Sequence, residues 1–536
     1  MKRIFLTLFI FQFTVCVNIS AQEVYEDHHA EIYPFLARFA QKGFLQFDDQ
    51  IRPVTRTYIL ACLDTLNTKS NQLSQTEKKE LQFYLQEFNA LRSNKIDESG
   101  KVYFFKKDDT KRWRFLYTQS TTASLFFDPI VSFAQVTGTN KNYNSRSTGV
   151  HIWGTIGKHL GYQIEYNDIT EKGTGYDTSR VNNNETGVIL KQTGHSKSQN
   201  FTEIRGSINY SFKNGSIAVG QDHLLFGYGE NGRIILSDKA PNYPFIRLDY
   251  QLFPWLHFNY AHAWLNSLIV DSSLSYNNGN LVVPVRNIYI PKYMATHSIQ
   301  IKAMKGLFFS LGESIIYSDN LNIGYLIPII PFKLYDNNIN NNTLESGSNS
   351  QLFLSVSSRN QLKNTHLYGN LFIDEIRLST LFDPKKSRNQ FGYTLGASIT
   401  DFPIPYLSFQ AEYTRINPFV YSNVIASQTY TNYKYPLGDW IGNNADRLIL
   451  SLKYTPLPKL KLQARYQTIR RGDSGTIADQ YYQEPQPSFL FGTITYRNEI
   501  YLSCQYELIH KLVFQGIYSK WNDIGSSFKL GFSYGL

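Results

Sequence analysis

Little of this chain is charged, and almost none of it is cysteine or methionine. Asp, Glu, Lys and Arg make up only 18% of the residues, and there are three Cys and three Met. One cysteine, Cys16, lies in the N-terminal leader, which leaves Cys62 and Cys504 far apart in sequence. That excludes a disulfide framework even in an oxidising compartment. Neither a CxxC nor an HExxH pattern occurs, so motif spacing calls for no metal and no cofactor. After the leader there is no run of about 20 apolar residues, which excludes a membrane-spanning helix. Mean hydropathy is −0.32, a value that suits a water-soluble secreted protein if only helices are considered.

What is abundant points elsewhere. Aromatics reach 15% of the chain, with 38 Tyr and 37 Phe. A membrane-spanning barrel needs apolar side chains on one strand face only, so its mean hydropathy stays low, and its aromatics form girdles at both membrane interfaces. The formal charge of +10 includes Lys2 and Arg3 of the leader. The remaining basic excess suits outer-membrane lipid and lipopolysaccharide phosphates, or an acidic polysaccharide, and no nucleic-acid partner is expected.

Lys2 and Arg3 open a short basic region, Ile4 to Val17 form an apolar run, and Asn18-Ile19-Ser20-Ala21 offers a small-residue cleavage site. Residues 1–21 therefore read as a secretory signal peptide that leaves Gln22 as the mature terminus. Val15 before Cys16 argues against a lipoprotein anchor, which wants a small residue there. Residues 28–92 read as helices. Ile32, Phe35, Leu36 and Phe39 recur at helical spacing, with Gly43 as a C-terminal stop. Pro53 opens a second helix bearing Ile59, Leu60, Leu63 and Leu66, and Ser74-Gln75-Thr76-Glu77 has the form of a capping box before a third. Three short helices make a thin core, so this unit is expected to lean on a neighbour and occlude the periplasmic opening.

After Arg112 the period changes from 3.6 to 2. Phe528, Leu530, Phe532, Tyr534 and Leu536 alternate with Lys529, Gly531, Ser533 and Gly535; Leu448, Leu450, Leu452 and Tyr454 alternate with Arg447, Ile449, Ser451 and Lys453; Leu407, Phe409, Ala411 and Tyr413 alternate with Tyr406, Ser408, Gln410 and Glu412. One face suits lipid and the other a polar lumen. Short turns are expected near Gly157-His159, Lys213-Gly215, Phe253-Trp255, Lys305-Gly306, Asn360-Lys363, Asp401-Pro405, Pro456-Lys459 and His510-Lys511, with long polar segments at 169–200, 266–295, 317–349 and 415–446. Eight short turns imply about 18 strands, with the turns periplasmic and the long loops extracellular. The expected fold is an all-β transmembrane barrel of about 18 antiparallel strands with a small N-terminal helical periplasmic domain. Its parts are signal peptide 1–21, helical domain 22–92, linker 93–111 and outer-membrane barrel 112–536.

Few motifs carry chemistry. Gly472-Asp473-Ser474-Gly475 copies a serine-protease tetrapeptide but falls in a loop without His and Asp partners in a matching context. Gly227-Tyr228-Gly229-Glu230-Asn231-Gly232 lacks the Lys-Ser/Thr of a phosphate loop, and its glycines suit an inward-folded loop passing close to the barrel wall. Asp374 and Glu375 point to opposite faces of a strand and are expected to meet water at the rim. The best ligand candidate is the loop 415–446, where Tyr421, Tyr430, Tyr433, Tyr435 and Trp440 stand beside Asn443, Asn444 and Asp446. Sugars stack C–H faces on aromatic rings and pair hydroxyls with amides and carboxylates. Trp440, Tyr433 and Tyr435 would then stack, and Asn443, Asn444 and Asp446 would bind hydroxyls.

Three stretches are familiar. Gly220-Gln221-Asp222-His223 through Gly229 with Ile235 to Pro241, Leu367 to Glu375, and Pro436 to Asp446 resemble the Wzi-type capsule-assembly barrels, as does the helical opening Tyr33-Pro34-Phe35-Leu36 with Lys42-Gly43 and Arg52-Pro53. The chain is also similar to the RemB-like outer-membrane proteins of gliding bacteria. The resemblance implies a barrel of about 18 strands with a periplasmic helical bundle, and a non-enzymatic role in retaining or assembling surface polysaccharide. Two other expectations stand beside it: an accessory component of a secretion or gliding-motility protein complex, and a plugged porin whose lumen carries Arg447, Lys453, Lys461, Arg465, Glu412 and Glu499.

Overall fold

The structure, a computed structural model, describes residues 23–92, 101–120, 122–190, 197–280, 284–340, 347–376, 383, 386, 389–479 and 486–535. The leader, residues 93–100 of the expected linker and Leu536 lie outside them. Eighteen antiparallel strands close a barrel, from Ala123–Gly138 round to Gly525–Tyr534. The last strand pairs back on the first, in register from Ser527↔Gly138 to Tyr534↔Val131.

The alternation expected from the sequence is the alternation of the wall. Leu448, Leu450 and Leu452 are exposed on the outside, whereas Arg447, Ile449 and Ser451 are buried inside. The eight expected short turns all lie at one end of the barrel. Asn214, Lys459 and Lys511 adopt positive φ there, as two-residue hairpin turns require. At the other end the strands run further than the sequence suggested. The loop expected at 169–200 is narrowed by a strand reaching Thr174 and another starting at Ser198, and that expected at 266–295 by strands Leu256–Val270 and Tyr289–Met304.

Residues 23–92 form the helical unit: α1 (Ile32–Gln41), α2 (Arg56–Asn67) and α3 (Gln75–Phe88). Both bonds of the Ser74/Glu77 capping box are made. The second helix starts later than Pro53, because Thr55 is the cap: its side chain accepts from the Tyr58 amide, and the preceding Ile51–Arg52 is extended. Apolar faces meet in a core built on Tyr33, Leu36, Phe39, Leu63, Leu81 and Phe88. The expected linker is also not all irregular. Tyr103–Lys107 and Trp113–Gln119 pair as a hairpin, and the latter continues onto the first barrel strand at Leu116↔Phe127.

The helical unit sits in the short-turn mouth of the barrel. Arg38 of α1 and Lys42 just after it reach Asp401 at 2.8 Å each, Ser74 meets Tyr406 at 2.6 Å, and the Lys459 ammonium lies 4.8 Å from the centre of the Phe83 ring. An 18-strand barrel is too wide for strand side chains alone to fill, so something must enter it or water will. From the long-loop end two connections fold inward, residues 223–242 and 417–444. With Phe353 and Phe372 of the wall they form the largest apolar cluster among the described residues. The lumen is thus occupied from both ends, and part of the aromatic surplus belongs to this filling rather than to the girdles.

Candidate functional site

The two inward loops are stitched together by side chains donating to backbone carbonyls. Tyr421 donates to Ile234 (2.6 Å), Tyr430 to Ile235 (2.8 Å), Asn432 to Pro241 (3.0 Å) and Trp440 to Asn231 (2.5 Å). The wall holds them in turn. Asn370 accepts from the Tyr228 amide at 3.1 Å and donates to its carbonyl at 2.8 Å. A Cβ on Gly227, at φ +83°, would come within 2.7 Å of that same Asn370 side chain, so glycine allows the close approach. Arg447 is fully buried, forked onto Asp439 at 3.0 and 2.8 Å, with a further bond to the Asn231 carbonyl at 2.9 Å. The stretches that carried the family resemblance therefore meet in one place, as anchors of the inward loops.

This arrangement moves the expected ligand residues off the surface. Trp440 is 6% exposed and packs edge-on to Trp521, so it has no free ring face for a sugar. Tyr435 is buried and donates to the Ser179 carbonyl at 2.8 Å, and half-buried Tyr433 ties its amide to the Asn266 carbonyl at 3.0 Å. Asn444 donates to the carbonyls of Ser474 and Phe491, both at 2.7 Å. Asn443 is buried with neither side-chain polar atom hydrogen-bonded. Asp446 faces the other way, paired with Arg470 and accepting from the Tyr413 hydroxyl at 2.9 Å on the outer wall. Composition suggested a loop tip, but volume decided otherwise: a wide lumen takes up apolar loop residues that water would reject.

Two other expectations change for the same reason. Asp374 does not end its strand in water; it accepts from the Tyr421 amide at 2.7 Å and from Gln351 at 3.2 Å, holding the inward loop. The lumen is charged as expected, yet its charges are paired, most with the filling and Arg465 with Glu499 within the wall. Arg447 and Glu412 flank the loop anchor, Lys453 pairs with Glu230 (2.7 Å), Lys461 with Glu80 of α3, and Arg465 with Glu499 (3.0 Å).

A cavity of about 670 Å3 remains along the wall that the loops leave uncovered. It extends from Asn184 to Ile189 at the long-loop end to Lys459 and Lys511 at the short turns, with Glu26 to Ile32 on its inner side. Lys239 of the inward loop closes its upper part by donating to the carbonyls of Arg180, Asn183 (2.9 Å) and Glu185 (2.7 Å). Arg471 and Arg497 reach Asn182 at 3.3 and 2.8 Å and make a largely basic rim, in which Arg497 also pairs with Asp523 at 2.7 Å. In α3, burial alone would push the Glu87 carboxyl up, but Arg112, Arg114 and Arg56 outweigh it and hold the group well below the usual carboxylate range. The Ser474 hydroxyl donates only to neighbouring Asp473 at 3.1 Å, an arrangement that activates no nucleophile.

No curated protein matches the sequence. The structure of Escherichia coli Wzi is similar, with a TM-score of 0.59 and 11% identity, covering 96% of this chain and 100% of that one; it is described as a carbohydrate-binding β-barrel of the outer membrane involved in group 1 capsule assembly. Pseudomonas aeruginosa OprD (TM-score 0.41, 11% identity, 82% of this chain and 96% of that one) and Acinetobacter baumannii OccAB1 (0.43, 10%, 76% and 96%) are more distant. At such identities the likeness is one of fold. The profile of the capsule assembly protein Wzi matches residues 136–515, which take in both inward loops and most of the wall. The chain belongs to the Wzi capsule-assembly family and is an outer-membrane β-barrel.

Proposed function

We propose that this protein retains or helps assemble surface polysaccharide at the outer membrane, as a binding barrel without catalysis. The observation that carries the reading is the family match over residues 136–515. Two features support it. Both ends of the lumen are filled by anchored protein, which does not suit a general diffusion pore, and the helices sit at the short-turn end, the end that outer-membrane barrels turn to the periplasm. Neither the family nor the similar structures point to gliding motility or secretion. We place the polysaccharide contact at the basic rim of Arg471 and Arg497 beside Asn182, not at Trp440. Guanidinium groups suit an acidic glycan, and Trp440 has no face to offer.

The test is surface polysaccharide measured in a deletion strain complemented with variants. Loss of the gene is expected to shed polysaccharide into the medium, and Arg471→Gln with Arg497→Gln to restore only part of it. Trp440→Ala is expected to cost about 3 kcal/mol of stability through lost packing while the folded fraction retains polysaccharide normally. Full retention in the deletion strain would sink the proposal. Loss of retention by stably folded Trp440→Ala would return the contact to the loop.

A further inference from the structure

One cluster in the cavity has no part in the reading above. His28 and His29 precede α1, and Asp238 comes from the inward loop 210 positions later in the chain. His29 Nε2 lies 3.1 Å from Asp238 Oδ2, and His28 Nε2 lies 3.7 Å from the same oxygen. One donor atom from each of the three residues falls within 4.8 Å of the others. A second triplet with the same spacing joins His28 to Asp222 and His223. His28 is 3% exposed, and neither of its ring nitrogens has a hydrogen-bond partner. His223, 2% exposed, packs edge-on to His28 with its Nδ1 also unpartnered. An imidazole buried with neither nitrogen hydrogen-bonded, as His28 is, is costly, whereas His223 bonds the Ala240 carbonyl through Nε2 at 3.1 Å.

We propose that His28, His29 and Asp238 bind a divalent transition-metal ion of the zinc class, which latches the N-terminal segment to the inward loop. Two imidazoles and a carboxylate are ligands such ions take, and tetrahedral zinc holds donors about 3.3–3.5 Å apart, between the two separations seen here. The side chain of His29 is 68% exposed toward the cavity, so a fourth position stays open to water. The place makes mechanical sense. The same two segments already meet nearby, where Ile51–Arg52 pairs with Leu225–Phe226 and the Gly227 amide donates to the Gln50 carbonyl at 2.9 Å. A metal at His28 would add a second tie between the filling that enters from the periplasm and the filling that descends from the loops.

The experiment uses full-length protein in detergent, without a histidine tag, stripped with EDTA and equilibrated with Zn2+. One Zn2+ per chain is expected, and Co2+ in its place should give the visible d–d bands of a low-symmetry site. His29→Gln and Asp238→Asn should each weaken binding by at least about tenfold, while His257→Gln, outside the cluster, should leave it unchanged. Zn2+ should also slow hydrogen exchange at Tyr25 to Ala30 in the wild type and not in the variants. Because the His29 side chain is largely exposed, His29→Gln keeps the test valid if Asp238→Asn fails to fold. Sub-stoichiometric binding by the wild type, or binding by His29→Gln as tight as the wild type's, would overturn the proposal.

Discussion

The helical unit and the inward loops fill one lumen, and they grip its wall by different means. The helices hold largely by charge, beside a small apolar contact of Val24 and Ala90 with Phe126 and Trp153. Arg38 and Lys42 meet Asp401, Glu80 meets Lys461, and Asp49 accepts from Arg359 at 2.7 Å, all between residues hundreds of positions apart. The loops hold mainly by apolar packing around Phe353, Phe372, Tyr421 and Tyr430, closed by neutral hydrogen bonds and by the fully buried Arg447–Asp439 pair. Apolar burial is insensitive to salt and pH, whereas partly exposed ion pairs are sensitive to both. The comparison teaches that the loops fold as part of the barrel, while the helical unit is a docked module that can be loosened without unmaking the wall.

Deleting residues 23–92 breaks the comparison most severely. It removes the inner side of the 670 Å3 cavity and the contacts at the short turns. Planar-bilayer recordings are expected to show low conductance for the intact protein and a clear rise for the deletion, with the strand signal in circular dichroism preserved. An unchanged conductance would mean that the loops alone seal the lumen.

Next comes the anchor of the loops. Arg447→Leu leaves buried Asp439 without its partner and should cost about 3–5 kcal/mol, read as a lower melting temperature in detergent. Adding Asp439→Leu should recover much of that loss, because the stranded charge goes with it. If the single variant melts like the wild type, the view of the loops as an integral part of the barrel fails.

The smallest effect sharpens the contrast. Burial alone would raise the Asp401 and Glu77 carboxyls, yet Arg38 and Lys42 hold both below the usual range. A depressed folded pKa contributes stability that is present above the ordinary carboxylate value of about 4 and is lost as pH falls through the depressed one. Acid below about pH 4, or high salt, should therefore speed hydrogen exchange in α1 and α3 before it touches the loops. Asp401→Asn should reproduce part of this at neutral pH, with a loss of about 1 kcal/mol. Equal loosening of the 417–444 loop would erase the distinction.

Much of this architecture was legible from residue order. Ser74 and Glu77 announced a capping box, the turn from Lys305 to Gly306 was set by local chemistry, and the Leu448/Leu450/Leu452 alternation placed lipid on one side. Each of these depends on neighbours within a few residues, so covalent geometry and periodicity suffice. The Gly227 loop could be read as inward because glycine there implies a close wall. That Trp440, Asn443, Asn444 and Tyr435 are buried was not legible, because an aromatic, Asn-rich loop looks the same whether it points to solvent or into a barrel. His28 and His29 stand side by side without forming a metal motif, and nothing local joins them to Asp238 so far along the chain.

The sequence by itself determined that helices precede strands, where the short turns fall and which strand face meets lipid, but not how far the strands run at the long-loop end. Only the tertiary structure decided what fills the lumen, which lumen charges are paired, and that the N-terminal histidines meet an inward-loop carboxylate. The reason is physical. Strand and helix choices are made by the backbone and its nearest side chains, whereas the direction a loop takes is set by a volume that exists only once the wall has closed.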